Sequence, residues 1–179
     1  MIYGERIRLR AVERQDLPRF VEWLNVREVQ QGLGIVFPLS QESEERWYQD
    51  QMNRSAEERP FAVDVREGDE WVHIGSCGLF GFDRRVHQAE LGITIGHAAY
   101  RDKGLGTAVM RTLLRHGFET LNLHRIELRV FDSNPRAIHV YEKVGFKREA
   151  RLRQHHYLDG RYVDDWVMGI LREEWKAMH

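Results

Sequence analysis

The 179-residue chain has one cysteine, Cys77, and four prolines, and nowhere does it run through the 18 or so consecutive apolar residues that a membrane-crossing helix needs. A single cysteine excludes an internal disulfide framework and fits a reducing compartment. Cys77 sits in an apolar strand candidate, where a free thiol is expected to be buried and inert. The first residues lack the pattern of a signal peptide, so the expected location is the cytoplasm. A formal net charge of only −1 argues against a nucleic-acid binder driven by phosphate neutralisation. No His-x-x-x-His or paired-cysteine spacing is present, so no metal site is expected. Repeats, linkers and low-complexity tracts are also missing, and residues 1–179 read as a single domain. What is present, 42% hydrophobic and 31% charged residues, is the composition of a soluble globular protein.

Hydrophobic periodicity supplies the elements. Ile7 and Leu9 alternate with Arg6, Arg8 and Arg10, as in a half-buried strand. Asp16 is placed to cap a helix with Pro18 in its first turn and Phe20, Val21 and Leu24 on one face. The pattern then lapses from Gln30 to Leu39, which reads as a glycine-containing loop. Ser40 is placed to cap a second helix carrying Glu42, Glu44, Glu45 and Trp47. Strands follow at Pro60–Val65, Trp71–Phe82 and Ala89–Ile95, the second rich in glycine. A helix from Leu105 to Leu121 and a strand from Arg125 to Phe131 complete a βαβ unit, which makes the strands on either side parallel. Asn134 and Pro135 begin a short helix that Gly145 ends, and a hairpin turning at Asp159-Gly160 closes the chain. The fold class is therefore α/β: a mixed sheet with flanking helices.

The segment from Tyr100 to Thr107 organises the rest. It joins an apolar strand to a helix through Gly104 and Gly106, and a helix start offers unpaired N–H groups and partial positive charge to an anion. Arg101 and Lys103 add positive side chains. A Walker loop is excluded, because no Gly-Lys-Ser/Thr follows the required gap. A dinucleotide fingerprint has its first two glycines but Val109 at the third position, with Glu127 at a plausible distance for a ribose acid. The Arg-x-x-Gly-x-Gly pattern of a pyrophosphate loop is met by Arg101, Gly104 and Gly106. The plain alternative is a tight turn using glycine for its positive φ.

Downstream pieces favour the pyrophosphate loop. Arg101-x-x-Gly104-x-Gly106, Asn134-Pro135-x-Ala137 and Tyr141-Glu142-Lys143-x-Gly145-Phe146 resemble, in order and spacing, the GNAT superfamily of N-acetyltransferases. The likeness is strong from Glu90 to Asp165 and weak from Gln30 to Arg59. It lies nearest the branch of ribosomal-protein N-terminal and spermidine acetyltransferases.

That resemblance implies a mostly antiparallel sheet with a central splayed parallel strand pair, and acetyl-CoA as acetyl donor. It implies that Arg101, Asp102, Lys103, Gly104, Leu105, Gly106 and Thr107 wrap the pyrophosphate, and that Thr94, Ile95 and Gly96 pair with the pantetheine arm. Asn134 either hydrogen-bonds the pantetheine or caps its own helix. Tyr141 matches the general acid that protonates the leaving thiolate, or else packs as a core aromatic behind Phe146. Glu90 is the candidate base, or an exposed strand-start carboxylate. The stretch from Glu90 to Arg101 is one residue longer than in the spermidine pattern, so either a bulge absorbs it or Glu90 is displaced.

The implied reaction is direct sequential transfer to a primary amine, with no acyl-enzyme. The acceptor is a polyamine or other small amine, helped by Glu28, Glu42, Glu44 and Glu45 as an acidic rim, or a protein N-terminus. A non-catalytic acyl-CoA-binding module is the other class of reading. His155, His156 and Tyr157 either border the acceptor cleft or are ordinary exposed strand residues. A homodimer or larger ring is implied by resemblance alone.

Overall fold

The computed structural model describes residues 1–178. Eight strands form one sheet in the order β1-β2-β3-β4-β5-β6-β8-β7. They are β1 (Ile2–Tyr3), β2 (Ile7–Ala11), β3 (Phe61–Glu67), β4 (Glu70–Asp83), β5 (Gln88–Ile95), β6 (Arg125–Phe131), β7 (Lys147–Leu158) and β8 (Arg161–Leu171). Six α-helices accompany them: α1 (Leu17–Leu24), α2 (Arg27–Leu33), α3 (Gln41–Met52), α4 (Leu105–Arg115), α5 (Pro135–Lys143) and α6 (Arg172–Lys176). Every pairing is antiparallel except β5 with β6.

Alternation along β3 shows how the sheet acquires two covered faces. Val63 and Val65 join the main core, to which α4 contributes Val109, Met110 and Leu113. Ala62 belongs to a smaller cluster with Leu17, Phe20 and Trp23 of α1, which Trp47 of α3 covers. Each fully buried side chain of that size is worth roughly 1.5–3 kcal/mol. On the second face Asp64, 2% exposed, accepts hydrogen bonds from Arg8 and Arg10, and Arg10 also holds Asp16. Asp16 is thus consumed by Arg10 and by the Glu13 N–H, and it makes no side-chain cap to α1.

Two elements differ from expectation. α2, Arg27–Leu33, closed by Gly34 at φ 70, runs on through Gln30–Leu33, the start of the Gln30–Leu39 stretch expected to be a loop. The helix expected to reach Leu121 leaves α geometry after Arg115 and finishes as a π turn, His116–Thr120. Ser40 caps α3 as expected, accepting from the Ser43 N–H. The hairpin turns through Asp159 and Gly160, both at positive φ.

The parallel pair is short. β5 and β6 are in register only at Gln88–Glu90 with Arg125–Glu127, and beyond that the strands part while β4 continues to pair with β5 as far as Ile95. The gap between Leu91–Ile95 and Leu128–Phe131 is flanked by the N-termini of α4 and α5.

Candidate active site

The loop after β5 turns twice through left-handed backbone, at Asp102 (φ 60) and Gly104 (φ 76), and Gly104 is the N-cap residue of α4. The first amides of α4 have no intrahelical acceptor and face out of the helix start. A Cβ placed on Gly104 or Gly106 would meet nothing within 4 Å. Gly104 is needed for its φ, but neither φ nor protein packing demands a glycine at Gly106. The open space beside it suits an anion approaching the backbone closely.

Arg101 is not a free cation of this loop. Its guanidinium donates to the Ile95 and Gly96 carbonyls, at 3.0 and 2.8 Å, and to the Glu28 carboxylate at 2.7 Å. It therefore clamps the loop to the end of β5 and ties both to α2. Asp102 pairs with Arg136 of α5 at 3.0 Å, and Lys103 lies over the Tyr100 ring. Leu105 and Thr107 turn inward and are buried. Thr94 and Ile95 end β5 opposite Ser76 and Gly75. Gly96 lies against the Trp23 ring, which a Cβ would overlap at 2.4 Å.

On α5, the Asn134 Oδ1 accepts from the Ala137 N–H at 3.1 Å, so the oxygen is used as a cap. Its Nδ2 keeps its donors and points towards Gly32, 3.8 Å from where a Cβ would stand there. Tyr141 packs on the same core as Ile93, Ile95 and Ala137, with its ring 6.2 Å from that of Phe146. Among the described residues none hydrogen-bonds its hydroxyl, and burial pushes its pKa up to about 12. The phenol thus holds its proton across the physiological range.

Glu90 is exposed, in register with Phe80 and Glu127. No irregularity interrupts the pairing from Glu90 to Ile95, so no bulge lies in that stretch, and a 3-10 turn spans Ala98–Tyr100 before Arg101. Glu90 shares a sheet face with Thr94 but lies four residues, about 13 Å, back along the strand. It does not line the pocket that Thr94 lines.

That pocket, of roughly 320 Å³, lies between α1, α3, the middle of β4 and the end of β5. Phe20, Trp23 and Trp47 wall it, Ser76 and Thr94 form its floor, and Ile35 and Leu39 come from the segment linking α2 to α3. Glu44 lines it too, only 5% exposed. Burial pushes the Glu44 carboxyl above its ordinary range, and among the described residues nothing hydrogen-bonds or pairs with it. The other three members of the expected acidic rim are placed differently. Glu28 is engaged by Arg101 and Arg136, Glu45 pairs with Arg14, and Glu42 is exposed. The inward turn of Glu44 and the aromatic walls went unread in the sequence. Their signal is the spacing Glu44, Trp47, Gln51, one face of a helix.

A family model described as an acetyltransferase (GNAT) domain matches residues 6–147. The chain belongs to the GNAT family of N-acetyltransferases. It is 32% identical over 173 residues to the spermidine N(1)-acetyltransferase of Vibrio cholerae serotype O1, covering 96% of each chain. Against the spermidine N(1)-acetyltransferase of Escherichia coli K12 the identity is 30% over 173 residues, 97% of this chain and 90% of that one. The crystal structure of the Vibrio cholerae spermidine N-acetyltransferase with CoA and spermine superposes with a TM-score of 0.86 at 30% identity, covering 96% of this chain and 98% of that one. The chain is accordingly an acetyl-CoA-dependent N-acetyltransferase, with the mixed, splayed sheet of its family. Among the described residues no helix is long and apolar enough to cross a membrane.

Proposed function

We propose that the acceptor is a polyamine of the spermidine type, or a similarly short amine bearing a second positive charge. The observation that carries this reading is Glu44: a desolvated carboxylate with no partner among the described residues, open to an aromatic-walled pocket that reaches Thr94. An ammonium supplies the missing counter-charge, and aromatic faces favour cations as well. The likeness to spermidine acetyltransferases over nearly the full chain points the same way.

In this reading acetyl-CoA supplies an activated thioester, and the protein's residues do the rest. The amides of residues 101–107 hold the pyrophosphate, Thr94–Gly96 edge the pantetheine arm, and the Asn134 Nδ2 donates to it while the oxygen caps α5. A primary ammonium, pKa near 10, must lose a proton before it attacks. Glu90 takes that proton through intervening water, because its strand position is too distant for direct contact. Tyr141 gives its proton to the departing sulfur. Cys77 is no acyl carrier, since it is buried and its thiol pKa is pushed up by burial, so transfer is direct within a ternary complex. The working unit is a single domain over residues 1–179, cytoplasmic, and a homodimer or larger assembly.

The test is release of free CoA from acetyl-CoA with spermidine, spermine, diamines and short N-terminal peptides. Polyamine-dependent release is expected, with Glu44→Gln raising KM for polyamines about tenfold or more, the worth of a charge-assisted hydrogen bond. Release with peptides alone would transfer the protein to the N-terminal acetyltransferases. Binding of acetyl-CoA with no release to any amine would make it an acyl-CoA-binding module.

A further inference from the structure

The β7–β8 hairpin carries a second polar cluster, outside the residues given a role in the transfer above, in which His156 packs on the Phe131 ring. Consecutive strand residues point to opposite faces, so His155 and His156 ought to diverge. They converge instead. The β7–β8 register slips between Leu152 and His156, and Gln154 sits at φ 52 with its N–H bonded to the Asp164 carboxylate at 2.7 Å. This bulge turns both imidazoles onto Asp165. The His155 Nδ1 lies 2.9 Å from one Asp165 oxygen, and the His156 Nδ1 lies 3.1 and 3.0 Å from the two. Asp165 is 1% exposed, and among the described residues its carboxylate has no other side-chain partner. The neighbouring Arg151 is taken up by Asp164 and Asp132.

Two imidazole nitrogens and a carboxylate oxygen lie within 4.8 Å of one another. Each imidazole nitrogen lies about 3 Å from Asp165, a separation that subtends close to a right angle at a cation about 2.1 Å from both atoms, and a small rotation of the exposed His155 ring suffices to bring the third donor into the same shell. Imidazole with carboxylate is a donor set for divalent first-row transition metals, and a two-histidine, one-carboxylate corner leaves the other positions to water. We propose that His155, His156 and Asp165 form a binding site for such a cation. Without metal, each Nδ1–H donates to Asp165. With metal, each imidazole carries its proton on Nε2 and turns the Nδ1 lone pair inward, so two neutral ligands and one anionic ligand meet the ion. The proposal is independent of the acceptor assignment.

The test is titration of chelator-stripped protein with Zn²⁺, Ni²⁺ and Co²⁺ by calorimetry, with the visible spectrum of the Co²⁺ form. One equivalent should bind, with the weak bands of six-coordinate cobalt and a rise in Tm. Asp165→Asn and His156→Ala should each weaken binding at least about tenfold, while His139→Ala, on an exposed face of α5, changes nothing. If Asp165→Asn fails to fold, the exposed His155→Ala serves in its place. No binding to the stripped protein, or binding that survives Asp165→Asn and His155→Ala alike, would overturn the proposal and leave a hydrogen-bonded histidine pair.

Discussion

Two side chains carry opposite burdens. Tyr141 is kept protonated by burial, with a pKa about 12, and among the described residues its hydroxyl has no partner. Tyr141→Phe removes the proton and leaves the ring packing intact. The expected result is a fall in kcat of about a hundredfold or more with an unchanged Kd for acetyl-CoA, read by steady-state kinetics and calorimetry. Because an acid of that pKa stays protonated below it, Tyr141 adds no alkaline limb to the pH profile short of about pH 11. Glu44 is held above the ordinary carboxylate range by burial. A carboxyl whose pKa rises on folding favours the native state most at low pH, and that contribution is lost as pH rises through the folded value. Glu44→Gln should therefore raise Tm at pH 7 in the absence of amine, while bound polyamine should raise the wild-type Tm more than that of the variant.

Among the elements, the turn from β5 into α4 offers the sharpest contrast, because its two glycines serve different ends. Gly104 lies in left-handed backbone, where a Cβ costs about 1–2 kcal/mol. Gly104→Ala should lower stability by that amount, measured by urea unfolding. Gly106 lies in helical backbone with open space beside it, so Gly106→Ala should leave stability unchanged or improve it by up to about 1 kcal/mol. Its methyl group occupies the approach to the amides, and acetyl-CoA affinity should fall about tenfold or more, the loss of one or two charge-assisted bonds. This turn was legible in the sequence because its constraints are local: a helix start, a φ and a missing side chain. The Ser40 cap and the Asn134-Pro135 start were legible for the same reason. α2 was not, since it begins after Val26 without a side-chain cap and carries a glycine within it. Glu44 was read only as one of four rim glutamates, because a glutamate near a helix start suits the helix dipole as well as a pocket, and only the packing of Trp47 and Trp23 sets it apart from Glu42 and Glu45. The histidine pair was hidden by the bulge at Gln154, a break in the period-two rule that sequence reading assumes.

Across the whole molecule, the sheet is divided by its own gap. Strands β1–β5 and strands β6–β8 share three register pairs, and otherwise α4 and α5 bridge them. In the proposed reading the acetyl donor lies between β5 and β6 and contacts both halves, so its binding free energy would add to global stability. At a concentration a hundred times Kd the gain is about 2.7 kcal/mol, which for a chain of this length is a rise in Tm of about 5–10 °C. Thermal unfolding with and without acetyl-CoA measures it. Amide exchange at residues 91–95 should slow in the same experiment, since those strand groups lie along the gap.

The gap also gives the molecule a mechanical grain. Two stiff plates are riveted at one end by three residue pairs, and the other end is held apart. Pulled across β5 and β6, such a body tears from the open end, one rivet after another, at low force. Pulled along the strands, it must shear long antiparallel ladders together. A donor bound as proposed would act as a spline pressed into the slot, and a single molecule stretched across the seam should then yield at visibly higher force when acetyl-CoA is in place.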